Sequence, residues 1–162
     1  MQIDEDEGET QADIVYVPGS FKPPHKGHFD GAKFLADIAD EVHILISPLP
    51  RAEHDGDNRI EVTKEQSEEL WTLYIRENGL VGKIKAYVVD VNSPVKAAYD
   101  FMDGMDEGDT IILGRGAKDE ADTRFANAQN YSDKNNLGVA VEQPLIPMSS
   151  GNISGTKMRK FI

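Results

Sequence analysis

The sequence predicts an α/β domain, a parallel sheet of about five strands with helices on both faces. Two observations carry that prediction. Short runs of β-branched and aromatic residues alternate along the chain with stretches of helical periodicity. The first two runs end on proline or glycine and the fourth runs into Gly114, where the chain must turn. Strands separated by helical crossovers pair in parallel, and ligands of such sheets collect at the carboxyl ends of the strands, where the strand order reverses.

Residues 1–11 include Asp4, Glu5, Asp6, Glu7 and Glu9 and no base, and read as an acidic flexible tail ahead of one domain over 12–162. Residues 12–17 (ADIVYV) are a buried strand stopped by Pro18-Gly19. Phe29, Ala32, Phe34, Leu35, Ile38 and Ala39 recur at helical spacing and predict a helix over 27–39. Residues 41–47 (EVHILIS) are the second strand, closed by Pro48 and Pro50, and 48–58 is expected to be a polar loop. A helix follows over 63–77, with Leu70, Leu73 and Tyr74 as its apolar face and Gly79 just past its end.

The third strand spans 84–90. Ser93 then caps a helix that has Pro94 in its first turn and runs through Ala97, Ala98, Phe101 and Met102. The fourth strand, 109–113, leads into Gly114-Arg115-Gly116; the fifth, 139–146, is interrupted by Pro144; and a last helix starts at 154–161.

Bulk properties narrow the function. Hydrophobic residues make up 39% of the 162, enough for a packed core of ordinary size. The chain has no apolar run of membrane-spanning length, begins with acidic residues unlike a signal peptide, and contains no cysteine for disulfides or thiolate metal sites. A cytoplasmic setting fits. A net charge of −12 opposes binding to nucleic acid or anionic lipid, yet bases cluster at Lys22 to His28, at Arg115, Lys118 and Arg124, and at Lys157 to Lys160. That pattern points to a small anionic ligand.

The richest stretch is PGSFKPPHKGHFDGA, between the first strand and the first helix. Gly19 and Ser20 offer a tight turn whose amides can approach a phosphate, and Pro23 and Pro24 stiffen the loop. His25 and His28 are three apart and share a face of the first helical turn, with Gly27 between them removing a side chain. A helix start already favours anions, and substitution at phosphorus chiefly needs spreading negative charge stabilised and the incoming oxygen held in line. Two histidines and Lys22 answer that need. His43, within a strand, and His54, in an acidic loop, read as structural.

Two later motifs also follow strands. In ISGTKMR, Ser154 can cap a helix, and the hydroxyls of Ser154 and Thr156 with Lys157 and Arg159 can hold outer phosphates. Gly114-Arg115-Gly116 brings backbone and a guanidinium to a nucleotide, and DEADTRF can start a helix in which Arg124 faces an acceptor phosphate.

Gly19-x-Phe21 followed by His25-x-Gly27-His28, with a late Ile153-Ser154-x-Thr156-x-x-Arg159, resembles the nucleotidyltransferase superfamily. That group includes nicotinamide-nucleotide adenylyltransferases, phosphopantetheine adenylyltransferases and cytidylyltransferases. The resemblance runs from about Asp13 to Ile162. It implies a Rossmann-like sheet, a nucleoside triphosphate carrying Mg2+, release of pyrophosphate and, as relatives often do, assembly as a homo-oligomer. It implies that His25 and His28 stabilise the transferred α-phosphate; that Ser154, Thr156 and Arg159 hold the outer phosphates; that Lys22 touches the acceptor phosphate or the triphosphate; and that Gly114 and Arg115 flank base and ribose.

The proline-containing first loop and Arg159 look closer to adenylyl- than to cytidylyltransferases, so ATP is preferred to CTP. Where many adenylyl members carry an arginine early in the second crossover helix, this chain has Ser67, with Arg51 and Arg59 earlier. The alternatives are a CTP-dependent cytidylyltransferase and a nucleotide-binding or scaffold module of the same fold without the chemistry. A class I aminoacyl-tRNA synthetase shares His-x-Gly-His, but this chain is too short and acidic to hold a tRNA.

Overall fold

A computed structural model describes residues 13–55, 58–116, 127–143 and 145–146. The first strand, β1 (Ile14–Gly19), runs into helix α1 (Lys26–Ile38), and β2 (Glu41–Ile46) follows. A hairpin of β3 (Arg51–Asp55) and β4 (Asn58–Val62) precedes α2 (Lys64–Glu77), β5 (Ile84–Val88) and α3 (Pro94–Asp103). Then come β6 (Thr110–Leu113), β7 (Arg115–Gly116), α4 (Ala128–Lys134), β8 (Ala140–Glu142) and β9 (Leu145–Ile146).

The main sheet has five parallel strands in the order β5-β2-β1-β6-β8. The chain builds outward from β1 through β2 to β5, then crosses back to place β6 on the other side of β1. The order therefore reverses between β1 and β6, and the crevice at their carboxyl ends is the favoured ligand position.

Strand alternation divides the core into two layers. Val42, Ile44 and Ile46 of β2 face one side, with Ala32, Leu35 and Ala36 of α1 and Trp71 and Ile75 of α2. Leu45 faces the other, with Ile111 and Leu113 of β6, Ala98 and Met102 of α3, and Ala128 of α4. Helices thus cover both faces, as the alternation of elements requires. Among the described residues no helix is long and apolar enough to cross a membrane.

The caps follow local chemistry. Thr63 and Gln66 form a reciprocal capping box at the start of α2, and Gly79, at φ 68°, accepts the left-handed turn beyond its end. The Ser93 hydroxyl accepts from the Lys96 amide at the start of α3, with Pro94 in the first turn.

Four expectations need correction. Residues 48–58 are not one polar loop: 51–55 and 58–62 pair antiparallel, Arg51 opposite Val62 and Asp55 opposite Asn58. Among the described residues these strands pair only with each other, and their sequence lacks the apolar run of a buried strand. The buried face of α2 is Ser67, Trp71 and Ile75, while Leu70 and Leu73 are exposed. Trp71 carries the largest apolar surface on the helix, so it sets which side turns inward. On α1 the small residues Gly31, Ala32 and Ala36 approach the sheet beside Leu35, and Phe34 and Ile38 are exposed. Finally, the stretch 139–146 splits: β8 joins the main sheet beside β6, whereas β9 pairs with β7. Arg115 and Gly116 are therefore in a short strand where a turn was expected.

Candidate active site

The loop between β1 and α1 sits at the carboxyl edge beside the reversal of strand order, and its geometry is set by its own residues. Helix α1 opens with a capping box built from two imidazoles. The Gly27 amide donates to His25 Nδ1 at 3.1 Å, and the His25 amide donates to His28 Nδ1 at 3.2 Å. This is the reciprocal arrangement usually made by serine or threonine with glutamate or glutamine. Its chemical consequence is specific. Each Nδ1 acts as an acceptor, so each neutral ring carries its proton on Nε2. The two rings are stacked, centroids 3.8 Å apart and 21° from parallel. Two neutral N–H donors thus mark the start of a 13-residue helix whose first turn holds no acidic residue.

Close approach disfavours a side chain at Gly19 and, less strongly, at Gly27. A Cβ on Gly27 would lie 3.0 Å from His25 Cε1, and one on Gly19 would meet the Phe21 ring at 2.7 Å. Phe21 itself adopts a left-handed backbone, φ 53°, and its ring is buried against His28 and Trp71.

Lys22 is 1% exposed. Its ammonium donates to the carbonyls of Ser20 at 2.7 Å and Ser47 at 2.8 Å, tying the loop to the end of β2. The tie is reinforced by the Ser47 amide, which donates to the Gly19 carbonyl at 3.0 Å. Burial, with a smaller contribution from the Arg51 charge, pulls the Lys22 pKa down to about 8. Arg51, at the first residue of the hairpin, therefore lies within electrostatic reach of Lys22. The sequence showed Arg51 but not its proximity, because nothing marked 51–55 as a strand.

Gly114, immediately after β6, hydrogen-bonds through its amide to the Tyr16 carbonyl at 2.9 Å. A Cβ there would come within 2.9 Å of Leu35 and 3.2 Å of Val17, so packing against α1 and β1 already demands glycine. The main chain of Arg115 continues into β7. The structure thus brings the Gly19–His28 loop and Gly114 to neighbouring strand ends. Arg124, Ile153, Ser154, Thr156 and Arg159 lie outside the described residues.

His43 has a different setting. Its Nε2 faces a Glu41 carboxylate oxygen and its Nδ1 the Tyr87 hydroxyl, both at 2.9 Å, in the middle of β2. The side chain of His54 lies outside the described residues.

No family model matches the chain. A stretch of 59 residues, 35% of this chain, is 37% identical to the phosphopantetheine adenylyltransferase of Aquifex aeolicus (strain VF5). The match spans 36% of that relative's length. The shared stretch makes this chain similar over about a third of its length to an enzyme of the nucleotidyltransferase superfamily, and the five-stranded parallel sheet with an imidazole-capped helix at its reversal point accords with that likeness.

Proposed function

We propose that the chain transfers a nucleoside monophosphate, AMP in preference to CMP, from a nucleoside triphosphate to a small phosphorylated acceptor and releases pyrophosphate. The observation that carries this reading is the imidazole capping box, set where strand order reverses. An acceptor phosphate oxygen attacks the α-phosphorus. The bond from that phosphorus to the oxygen bridging the β-phosphate breaks, and pyrophosphate leaves with the electron pair. An ionised acceptor phosphate carries no proton that must be removed.

His25 and His28 donate Nε2–H to the non-bridging α-oxygens, where charge builds as the bond breaks, and the start of α1 adds its dipole. The Lys22 ammonium sets a positive potential beneath the loop, and Arg51 extends it towards the acceptor. By the superfamily pattern, Ser154, Thr156 and Arg159 hold the outer phosphates, Gly114 and Arg115 flank base and ribose, and Arg124 meets the acceptor.

Mg2+ belongs to the triphosphate in this scheme and supplies charge neutralisation along it. Among the described residues no group of three histidines or carboxylates is set to hold a metal ion, and neutral imidazole N–H groups suit phosphate oxygens rather than a cation. The net charge of −12 supports small anions, held by local bases, over nucleic acid or an anionic membrane. The relative's name favours ATP and makes a pantetheine phosphate the first acceptor to try.

A pyrophosphate-release screen, pairing each nucleoside triphosphate with a panel of phosphomonoesters, tests the reading. ATP with one phosphomonoester is the expected productive pair. Release with CTP alone makes the chain a cytidylyltransferase. Silence across all pairs overturns the enzymatic reading in favour of a binding or scaffold module.

A further inference from the structure

Trp71 is the only tryptophan in the sequence, and it is fully buried on the inner side of α2. Its indole stands edge-on to Phe21, centroids 5.3 Å apart at 85°, and to Phe29 at 5.0 Å and 88°. Phe21 in turn stands at 90° to His28, 4.9 Å away, and His28 stacks on His25. Phe29 stacks on Tyr74, 4.2 Å away and one turn along α2 from Trp71. A continuous run of rings therefore joins α2 to the two capping imidazoles.

Phe21 is the hinge of that run. Its left-handed backbone is uncommon for a bulky residue, and such a conformation persists only where the surroundings over-determine it. Here Gly19 leaves room beneath the ring, Trp71 closes one side and His28 the other. The cap hydrogen bonds fix where each Nδ1 points, and the perpendicular Phe21 ring bears on the plane of the His28 ring.

We infer that Trp71 is a positioning residue: acting through Phe21, it sets the plane of the His28 ring and so the direction in which His28 Nε2–H is delivered. The catalytic consequence rests on the proposed nucleotidyl transfer, whereas the effect on His28 does not. A residue that only fills the core would lower stability when truncated and leave the imidazole alone.

The experiment compares Trp71→Leu, Phe21→Leu and Ile75→Ala in the full chain. Ile75 lies on the same face of α2 and in the same core layer, with no aromatic contact to the loop, so its variant controls for lost packing. The His28 ring-proton resonances and their titration are followed by NMR beside Tm, with kcat and KM measured where turnover is found. The expected result is a moved His28 resonance and titration midpoint in Trp71→Leu and Phe21→Leu but not in Ile75→Ala, at comparable losses of Tm. With turnover, kcat falls by up to about 100-fold in Trp71→Leu while the KM for triphosphate barely changes. Phe21→Leu tests the same contact from the loop side should Trp71→Leu fail to fold. An unmoved His28 in whichever of these two folds, or an equal shift in Ile75→Ala, overturns the inference. A wild-type chain that transfers no nucleotide yet shows the His28 shifts sustains the positioning role and refutes the enzymatic reading alone.

Discussion

His43 and the His25–His28 pair are the same side chain used in two ways. In both places the ring nitrogens meet hydrogen-bond partners from the chain itself. At His43 the arrangement closes within the chain. A Glu41 carboxylate oxygen meets Nε2 and the Tyr87 hydroxyl meets Nδ1, both at 2.9 Å. Burial, with a smaller contribution from Tyr16, pushes Tyr87 up to about 12, which keeps it a donor, while hydrogen bonds from His43 and Lys85 hold the Glu41 carboxyl below its ordinary range. At His25 and His28 the Nδ1 partners are main-chain amides of a helix start, and the proposed receiver of both Nε2–H groups is a phosphate. A histidine tied to a carboxylate inside a sheet stabilises; two tied to a helix cap are presented to an anion. Residue type does not separate these cases, but position at the end of β1 does.

The largest test of that contrast is truncation of each kind. His28→Ala should lower kcat by about 100- to 1,000-fold, the worth of one donor to developing charge, with the fold kept. His25→Ala should lose a comparable factor, and each of the two variants should also lose about 1 kcal/mol of stability with its half of the capping box, read by chemical denaturation. His43→Ala should reverse the pattern, lowering Tm through the loss of its two part-buried hydrogen bonds while turnover stays near wild type. Equal catalytic losses at His43 and His28 would erase the distinction.

Lys22 sharpens the electrostatic side. Its pKa falls from an ordinary lysine value to about 8 on folding, so the unfolded chain binds more protons between pH 8 and the lysine range. Stability from this group is therefore gained as pH rises through that window and is lost as pH falls through 8. Its charge, by contrast, is present only below about 8. The KM for the anionic substrates should rise above that pH, and in Lys22→Met KM should be raised by about tenfold with the alkaline rise gone. Arg51→Ala, by removing a neighbouring positive charge, should move that rise to higher pH, a smaller effect seen in the same profile. A pH-independent KM in the parent protein would contradict the assignment of Lys22 to the anion.

Gly114→Ala probes the scaffold beneath. A Cβ within 2.9 Å of Leu35 and 3.2 Å of Val17 has no room in a packed layer, and a cost of about 1–3 kcal/mol is expected by thermal unfolding. A neutral result would reopen Gly114 as a position reserved for ligand approach alone.

How much of this was legible beforehand divides along physical lines. The main strands, the helices at 26–38, 64–77 and 94–103, the Gly79 stop after α2 and the Ser93 cap of α3 were readable because apolar period and capping chemistry are local. The hairpin at 51–62 was not, since RAEHD and NRIEV pair with each other outside the main sheet and lack its apolar signature. Helix α4 (AQNYSDK) was missed for a similar reason: it is short and buries only Ala128 and Ser132. Trp71 was passed over in favour of the flanking leucines, an error that packing alone could correct.

In the site, the two histidines were legible from their spacing beside a helix start. The burial of Lys22, the left-handed Phe21 and the approach of Arg51 depend on contacts between distant segments, which no local pattern encodes.

The most direct measurement follows the α-phosphate itself. The wild-type chain is incubated with Mg2+, a phosphomonoester and ATP labelled either at the α- or at the γ-phosphate, with His28→Ala in parallel. The account predicts that the α-label joins the acceptor while the γ-label leaves in pyrophosphate, and that both transfers nearly vanish in the variant. Label released from the γ-position as inorganic phosphate, or transfer by His28→Ala at the wild-type rate, would contradict it.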